Sequence, residues 1–307
     1  MSDIDRIQDL QDTLTQDEQN FQARRELAVL LLDNGYTKEA LQHLLYLKEY
    51  FSDDSGIYYN LGIVYEKIKQ YNKATDAYQT AIKLAPNEAD AYFNLGLVYI
   101  EQKKYDEGIE CFQHVLEIDE NDSNSYFSLG ICYFKKGDLV NAVLNFQNTI
   151  DLNNDDLYAH FYIGNIYKTM GDSEAAADEF LKVLELSPDY SWAYYNLAVI
   201  DYENGNIQDA LEKLTKTLEL NPKDEEAYKI YAQIMAQQGM FQEAKFVLNM
   251  AFNNGVVTGN LFFILYQLDK NLGDLEACKT DLKNALENEK TLSVPRKTIE
   301  KALSELN

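Results

Sequence analysis

Several ingredients of common folds are scarce in this chain of 307 residues. It has 14 glycines and 4 prolines, too few for a turn-rich all-β fold or for long disordered linkers. Its three cysteines, Cys111, Cys132 and Cys278, lie far apart and show no disulfide or metal-binding spacing. We therefore expect free thiols and a reducing, cytoplasmic location. No run of 18 apolar residues occurs, so we expect no transmembrane helix.

Positive charge is also scarce. The chain has 27 Lys and Arg against 51 Asp and Glu, which gives a formal net charge of -24. Such a chain repels a phosphate backbone, so nucleic acid is excluded as the main partner. The first twenty residues are acidic and lack the apolar segment of a signal peptide.

The most prominent feature of the sequence is an internal repeat. YYNLGIVYEK begins at Tyr58, YFNLGLVYIE at Tyr92 and YFSLGICYFK at Tyr126, each 34 residues after the last. A period of this length is typical of stacked repeats. Extending the interval in both directions predicts repeat starts at Phe21, Ser55, Ala89, Ser123, Leu157, Ser191, Glu225 and Gly259.

Each repeat contains two amphipathic helical patterns separated by a short polar break. In the second repeat Tyr58, Leu61 and Tyr65 mark one apolar face, and Tyr71, Ala74 and Tyr78 begin another. Six of the eight breaks contain a glycine, which suits the left-handed end of a helix. Small residues recur at the eighth and twentieth positions, with glycine at four successive eighth positions: Gly62, Gly96, Gly130 and Gly164. This indicates close packing of the paired helices, because glycine inside a helix costs about 1 kcal/mol relative to alanine.

These residues resemble the tetratricopeptide repeat (TPR) family, in which helix–turn–helix units of 34 residues stack. The resemblance implies an all-α fold: a right-handed α-solenoid, or superhelix, with capping helices at both ends. It predicts an acidic N-terminal cap over 1–20, eight repeats over 21–292 and a C-terminal cap over 293–307. Four residues depart from the family pattern: Arg24 in the first repeat, Asp201 in the sixth, and Tyr266 and Asp269 in the eighth.

Both flanks carry helical apolar patterns. Ile4, Ile7, Leu10 and Leu14 are spaced to cover the open end of the first repeat, and Ser293 and Pro295 predict the start of the final helix. Val294, Ile299, Ala302, Leu303 and Leu306 would close the last repeat. Caps are expected because a solenoid with open ends exposes apolar surface.

The sequence carries no recognisable catalytic motif. It has no phosphate-binding glycine loop and no nucleophile elbow. His43, His114 and His160 have no cluster of ligand residues at metal-binding spacing around them. We expect the acids at the turns to cap helices. We therefore predict no enzymatic activity, no cofactor and no metal.

The remaining candidate site is the surface of the first helices, which in the TPR family lines the concave groove. Carrying over the family's groove positions predicts a wall of aromatic and apolar side chains with amides between them. The predicted partner-binding residues are Tyr59, Asn60, Phe93, Asn94, Leu97, Phe127, Ile131, Phe134, Phe161, Tyr162, Asn165, Tyr195, Asn196 and Tyr202. Asn side chains both donate and accept, so they could pair with the backbone of an extended peptide.

Two questions stay open at this stage. The aromatic side chains at the fifth position either face a ligand or pack between neighbouring helices. The leading function is a non-catalytic interaction scaffold that binds an extended or helical partner segment through apolar or aromatic anchors, without membrane insertion. The alternatives are a self-assembling subunit that forms homo-oligomers through its end caps, and the substrate-recognition subunit of an enzyme on another chain.

Overall fold

The computed structural model describes residues 2–306, and these form eighteen α-helices and one short 3-10 helix with no strand. The prediction of an all-α chain of helix–turn–helix units is confirmed. The first helices of the pairs are α2 (Phe21–Asp33), α4 (Ser55–Lys67), α6 (Ala89–Glu101), α8 (Ser123–Lys136), α10 (Leu157–Met170), α12 (Ser191–Glu203), α14 (Glu225–Gln237) and α16 (Gly259–Leu272).

The second helices follow after short turns. They are α3 (Thr37–Tyr50), α5 (Tyr71–Leu84), α7 (Tyr105–Ile118), α9 (Leu139–Leu152), α11 (Ser173–Leu186), α13 (Ile207–Leu220), α15 (Phe241–Asn253) and α17 (Leu275–Glu287). Helices α1 (Asp3–Gln16) and α18 (Arg296–Glu305) flank the pairs, and a 3-10 turn spans Glu289–Thr291. The helices form two compact units, one ending at Ala159 and the other beginning at His160. The division into eight repeats and two caps stays a prediction.

The turn within each pair requires a left-handed residue. Gly137, which ends α8, has φ 81°, and the five other glycines at this position are also left-handed. Lys69 and Lys103 occupy the same position with φ 58° and 59°. A left-handed conformation is costly for a residue with a Cβ. The two lysines therefore show that the repeat geometry, not the residue, sets this backbone conformation.

Aspartates begin many of the helices. The side chain of Asp122 accepts a hydrogen bond from the Ser125 backbone amide, and Asp172 and Asp274 cap α11 and α17 in the same way. An N-terminal carboxylate satisfies an otherwise unpaired amide and interacts favourably with the helix dipole. The expectation that acids at the turns cap helices is confirmed for these residues.

The paired helices meet at the eighth residue of each. A Cβ added at Gly130 would lie 2.6 Å from the Phe146 ring, and one added at Gly62 would lie 2.4 Å from Tyr78. Phe146 and Tyr78 are fully buried. Glycine is therefore needed wherever the eighth residue of the second helix is aromatic, because any side chain would occupy the volume of the ring.

The other pairs use a different combination. Where the first helix has alanine at its eighth residue, the second helix has leucine: Ala28 with Leu44, Ala198 with Leu214, and Ala232 with Leu248. All six side chains are buried. Tyr266 departs from both combinations, opposite Leu282, and lies against α18 in the C-terminal cluster. Glycine with an aromatic residue and alanine with leucine are thus two ways to fill one space.

The terminal helices cover the outermost pairs. Ile7, Leu10 and Leu14 of α1 pack on the cluster around Leu27. Ile4 does not join them and is 69% exposed, so its assignment to the covering face was wrong. Ile4 lies in the first turn of α1, where the contact with α2 is polar: Asp3 accepts a hydrogen bond from the Asn34 side chain at 3.3 Å. At the other end Ile299 of α18 is fully buried.

The start of α18 also differs from the prediction. Pro295 is the residue before the helix, and Ser293 does not cap it. Instead the Ser293 amide and hydroxyl both donate to the Asn260 side chain, at 2.7 and 2.9 Å. Ser293 therefore ties the C-terminal segment to α16.

Two carboxyl groups are buried together in the last pair. Asp269 on α16 is 1% exposed and pairs with Lys245 of α15, and Asp281 on α17 faces Asp269 with one oxygen unpartnered. Burial, reinforced by the proximity of Asp269, raises the pKa of Asp281 to about 7 from its ordinary value of 3.8. Asp281 thus holds a proton at pH values where an exposed aspartate is ionised.

We expect the glycine–aromatic contact to be replaceable by the alanine–leucine contact. Gly130→Ala should destabilise the pair by about 1–3 kcal/mol through overpacking. Phe146→Leu should cost about 1–2 kcal/mol through the cavity it leaves. The double variant recreates the pairing of Ala198 with Leu214, so its cost should be smaller than the sum by at least about 0.5 kcal/mol.

Urea unfolding together with hydrogen exchange in α8 and α9 measures this coupling. Ala210→Gly, at a fully buried position of a distant pair, serves as a control that should add independently to either change. Strictly additive costs for Gly130→Ala and Phe146→Leu would show that the two residues do not share one space.

We expect Asp281→Asn to stabilise the protein above neutral pH. The folded pKa lies above the unfolded one, so folding takes up a proton between about pH 4 and 7, and stability falls as pH rises through that window. Asparagine carries no charge, so the variant should exceed the wild type by more than about 1 kcal/mol at pH 8. This advantage should vanish near pH 4.

Urea unfolding at a series of pH values provides the measurement, with Asp155→Asn, an exposed turn residue, as the control. A constant difference between Asp281→Asn and wild type across the series would contradict the buried proton.

Candidate functional site

The predicted groove residues lie on five first helices. In the first unit they are on α4, α6 and α8: Tyr59, Asn60, Phe93, Asn94, Leu97, Phe127, Ile131 and Phe134. In the second unit they are on α10 and α12: Phe161, Tyr162, Asn165, Tyr195, Asn196 and Tyr202. All of them are partly exposed except Asn196, which is 4% exposed. Their role in binding stays a prediction.

The aromatic rings at the fifth position both pack and remain accessible. Phe127 meets the buried Phe146 edge to face, with ring centroids 5.4 Å apart. Phe93 meets Phe112 edge to face at 5.5 Å, and Tyr59–Tyr78 and Phe161–Phe180 are tilted ring pairs at 6.0 and 5.9 Å. Each of these rings is thus held from behind by the aromatic residue that requires the glycine, while part of it stays exposed.

In the first unit the predicted groove side chains form hydrogen bonds and packing contacts with one another and with the core. Asn94 donates from Nδ2 to the Tyr59 hydroxyl at 3.1 Å. Phe93 and Leu97 pack on the cluster that contains Phe112 and Leu129. Burial raises the pKa of Tyr59, so this hydroxyl stays protonated and can accept from Asn94. The Asn94 amide is therefore already engaged within the protein.

In the second unit several predicted residues meet in one open cavity of about 410 Å³ between α10 and α12. Its walls are aromatic, with an ammonium and two amides among them. The lining residues are Phe161, Asn165, Lys168, Tyr190, Trp192, Tyr195 and Asn196. Four of these seven are predicted groove residues, so α10 and α12 bring Phe161, Asn165, Tyr195 and Asn196 together.

The aromatic walls of this cavity support one another. Trp192 meets Tyr195 at 6.3 Å and Phe161 meets Tyr190 at 5.4 Å, both edge to face. Trp192 is 47% exposed and is the only tryptophan in the chain. Large rigid rings of this kind provide apolar contact area at little entropic cost.

The polar groups of the cavity are ordered by hydrogen bonds within the protein. Lys168 donates from Nζ to Asn196 Oδ1, and Asn196 donates from Nδ2 to the Trp192 carbonyl at 2.8 Å. Asn165 donates to the Phe161 carbonyl at 2.8 Å. Asn165 and Asn196 thus each donate one hydrogen bond within their own helix, and Asn196 also accepts from Lys168 of the neighbouring helix.

Lys168 is the charged group of the site. Burial lowers the pKa of its ammonium, and Glu203 partly opposes this effect. Its hydrogen-bond partner is a neutral amide, which compensates a cation less well than a carboxylate does. The cavity therefore combines an apolar wall with a half-buried positive charge, an arrangement that suits a ligand carrying both an apolar side chain and an anionic group.

The remaining predicted residues of the second unit lie outside this cavity. Tyr162 contacts Phe161 edge to face at 6.4 Å, and Tyr202 packs on the cluster around Leu214. Lys168, Tyr190 and Trp192 line the cavity but were not among the predicted partner-binding residues. Trp192 occupies the second position of its repeat, which the family pattern already assigns to the groove, so this residue was accessible to sequence reasoning. Tyr190 precedes α12 and could be placed only by the fold.

The histidines make local contacts. His160 pairs with Glu179 at 2.7 Å, His114 with Glu117 at 2.9 Å, and His43 contacts the Arg24 guanidinium at 3.1 Å. Between residues 2 and 306, no group of three or more His, Cys, Asp or Glu side chains could hold a metal ion. In the same range, no helix combines the length and apolar character needed to cross a membrane.

The chain matches known repeats over much of its length. Models described as Tetratricopeptide repeat match residues 56–88, 89–122, 111–143 and 201–255, and one described as TPR repeat matches 164–204. These ranges cover more than half of the chain and lie on its helix–turn–helix units. The protein therefore belongs to the tetratricopeptide repeat family. No curated protein matches it in sequence.

Solved structures show the same fold. A tetratricopeptide repeat protein from Parabacteroides merdae ATCC 43184 superposes with a TM-score of 0.60 at 17% identity, covering 82% of this chain and 98% of that one. YrrB, described as a TPR protein with an unusual peptide-binding site, gives 0.52 at 25% identity, covering 61% and 96%. MamA from Desulfovibrio magneticus RS-1 gives 0.54 at 24%, covering 56% and 97%.

The half-buried rings generate a stability prediction. Phe127→Ala and Phe161→Ala should each cost about 1–3 kcal/mol, less than the roughly 3–5 kcal/mol expected for the fully buried Phe146→Ala, because part of each ring already faces solvent. Chemical unfolding of the three single variants tests the order. A cost for Phe127→Ala as large as that of Phe146→Ala would make the fifth-position ring a core residue and remove it from the binding surface.

Proposed function

We propose that this protein is a non-catalytic scaffold that binds a segment of a partner protein on the surface of its first helices, centred on the cavity between α10 and α12. The observation that carries the proposal is the half-exposed aromatic wall formed by Trp192 and Tyr195 beside the half-buried ammonium of Lys168. Tyr162 and Tyr202 would extend this surface within the second unit, and the predicted residues of α4, α6 and α8 would form the binding surface of the first unit.

The chemistry of the cavity defines the segment. We infer an extended or helical peptide that places an aromatic or aliphatic side chain against Trp192 and a carboxylate on Lys168. The carboxylate would supply the ion pair that Asn196 does not, and charge-assisted hydrogen bonds are stronger than neutral ones. The peptide-binding site in the description of YrrB supports binding of this general kind.

The three cysteines support a reducing compartment, and we propose the cytoplasm. All three are buried and free. Burial raises the pKa of the Cys111 and Cys132 thiols to about 12, which makes them poor nucleophiles. This argues for a packing role and supports a non-catalytic protein.

The self-assembly alternative has less support. It requires free apolar ends, whereas Ile7 and Leu10 of α1 and Ile299 of α18 are buried against the chain itself. Light scattering of variants that lack residues 1–20 or 293–307 distinguishes it, since only self-assembly through the ends needs these helices. The third possibility, recognition for an enzyme on another chain, uses the same surface and would appear as a co-purifying enzyme.

The single tryptophan gives a direct test. Peptides selected from a displayed linear library against the whole protein would be titrated while Trp192 emission is recorded. We expect the emission to shift to shorter wavelength as the peptide excludes water, and the selected peptides to carry an acidic residue near an apolar anchor. Lys168→Met should weaken their binding about tenfold or more, as expected for a lost charge-assisted hydrogen bond.

Lys182→Met, an exposed lysine on α11 paired with Glu185, is the matched control and should leave affinity unchanged. Selected peptides that bind without altering Trp192 emission would place the binding site elsewhere. If Lys168→Met and Lys182→Met lowered the peptide affinity equally, the loss would come from the change in net charge and not from a contact with Lys168.

A further inference from the structure

A second apolar surface lies further along the chain and shares no lining residue with the α10–α12 cavity. In the second unit α13, α14 and α15 enclose an open groove of about 580 Å³. Tyr231 and Met235 of α14 form its floor, Leu218 lies on the α13 side, and Phe246 and Met250 rise from α15. We call this the α13–α15 groove.

The exposed side chains of this groove are unusual within the chain's own repeats. Phe246 is 66% exposed and Met250 is 40% exposed. They are the sixth and tenth residues of their helix. The sixth residue is polar in six of the seven other second helices: Gln42, Asp76, Glu110, Asp178, Glu212 and Thr280. The fold therefore does not require an apolar residue here.

The tenth position leads to the same conclusion. It holds Asn148 in α9, Lys182 in α11 and Lys216 in α13, where Met250 stands in α15. Exposed apolar side chains beside a groove indicate a surface that is covered when a partner binds. Phe246 and Met250 are one turn apart on one helix face, so they would contact the same partner element.

The charges around the groove indicate the charge of its partner. Its charged lining residues are Glu219 on α13 and Glu243 on α15. Glu219 is paired with Lys216 at 3.1 Å, whereas Glu243 makes no ion pair within residues 2–306. The whole chain carries a formal charge of -24, so a second copy of it would be repelled. A basic partner is complementary to this rim.

The shape of the groove favours a helix. From Glu243 to Met250 its α15 wall runs two helical turns, about 10 Å, with Leu218 on the facing helix. A helix laid between two neighbouring helices presents anchors at every third or fourth residue, the spacing that Phe246 and Met250 themselves show.

We propose that the α13–α15 groove binds an amphipathic helix of a partner protein, with Leu or Phe anchors against Phe246 and Met250 and with Lys or Arg toward Glu243. This surface is independent of the α10–α12 cavity. A partner could therefore occupy each surface at the same time, and the protein would join two chains.

The probe is a synthetic Lys- and Ala-rich helix of about 15 residues, long enough to be helical, with Phe and Leu four positions apart. Two matched probes replace either every Lys by Glu or both apolar anchors by Ser. Binding is followed by fluorescence anisotropy of the labelled peptides. We expect the basic apolar probe to bind at least tenfold more tightly than either matched probe, and its affinity to fall with added salt.

The protein variant Phe246→Gln with Met250→Asn uses residues that the chain itself carries at these positions, Gln42 and Asn148, and keeps the net charge. It should keep its melting temperature and weaken the basic probe at least tenfold. Trp192→Phe, in the other site, should bind the probe like wild type. This separates failure of the present proposal from failure of the α10–α12 site.

Methyl spectra of the methionines test the same point without a variant. Met235 and Met250 line the groove, whereas Met170 lies on α10 and serves as the internal control. We expect the probe to shift the first two signals and leave the third unchanged. Unchanged Met235 and Met250 signals, or equal binding of the Glu-containing probe, would overturn the proposal. So would a wild-type dimer in sedimentation that the double variant abolishes, since the groove would then join two copies.

Discussion

The contact between the eighth residues of paired helices constrains much of this structure. Where the second helix supplies Phe146 or Tyr78, the first helix has to supply a glycine, and where it supplies Leu214 an alanine is enough. The aromatic choice has a consequence for the surface. The buried ring passes beneath the fifth residue of the first helix, so Phe127 rests on Phe146 and is held partly exposed. Core packing and the partly exposed row of aromatic rings are thus one arrangement.

The second unit presents two different surfaces. Helices α10 and α12 expose the aromatic cavity with its half-buried ammonium, Lys168, and α13, α14 and α15 line a groove edged by Glu243. The first surface carries a half-buried ammonium and the second a carboxylate at its edge, so the binding that we propose for them calls for partner segments of opposite charge.

The high negative charge has more than one structural role. Asp122 and Asp172 cap helices at the turns, where a carboxylate meets unpaired amides. Asp269 and Asp281 instead lie buried in the last pair, and only a shared proton and Lys245 make this tolerable. Composition alone therefore says little about where a carboxylate acts, since capping, ion pairing and burial use the same residue type.

The sequence by itself determined the helix pairs, their turns and the need for close approach at Gly62 and Gly130, because these depend on local periodicity and on residue size. It also assigned the predicted groove residues to the first helices of the pairs, which is where they lie, while their role in binding stays a prediction. Only the tertiary structure decided which of them meet. Tyr190 joins Trp192 and Lys168 because α10 and α12 lie side by side, and Asn196 turns inward to bind Lys168. Ile4 stays exposed although Asp3 beside it contacts Asn34. Contacts between helices depend on distances that a repeating pattern does not encode.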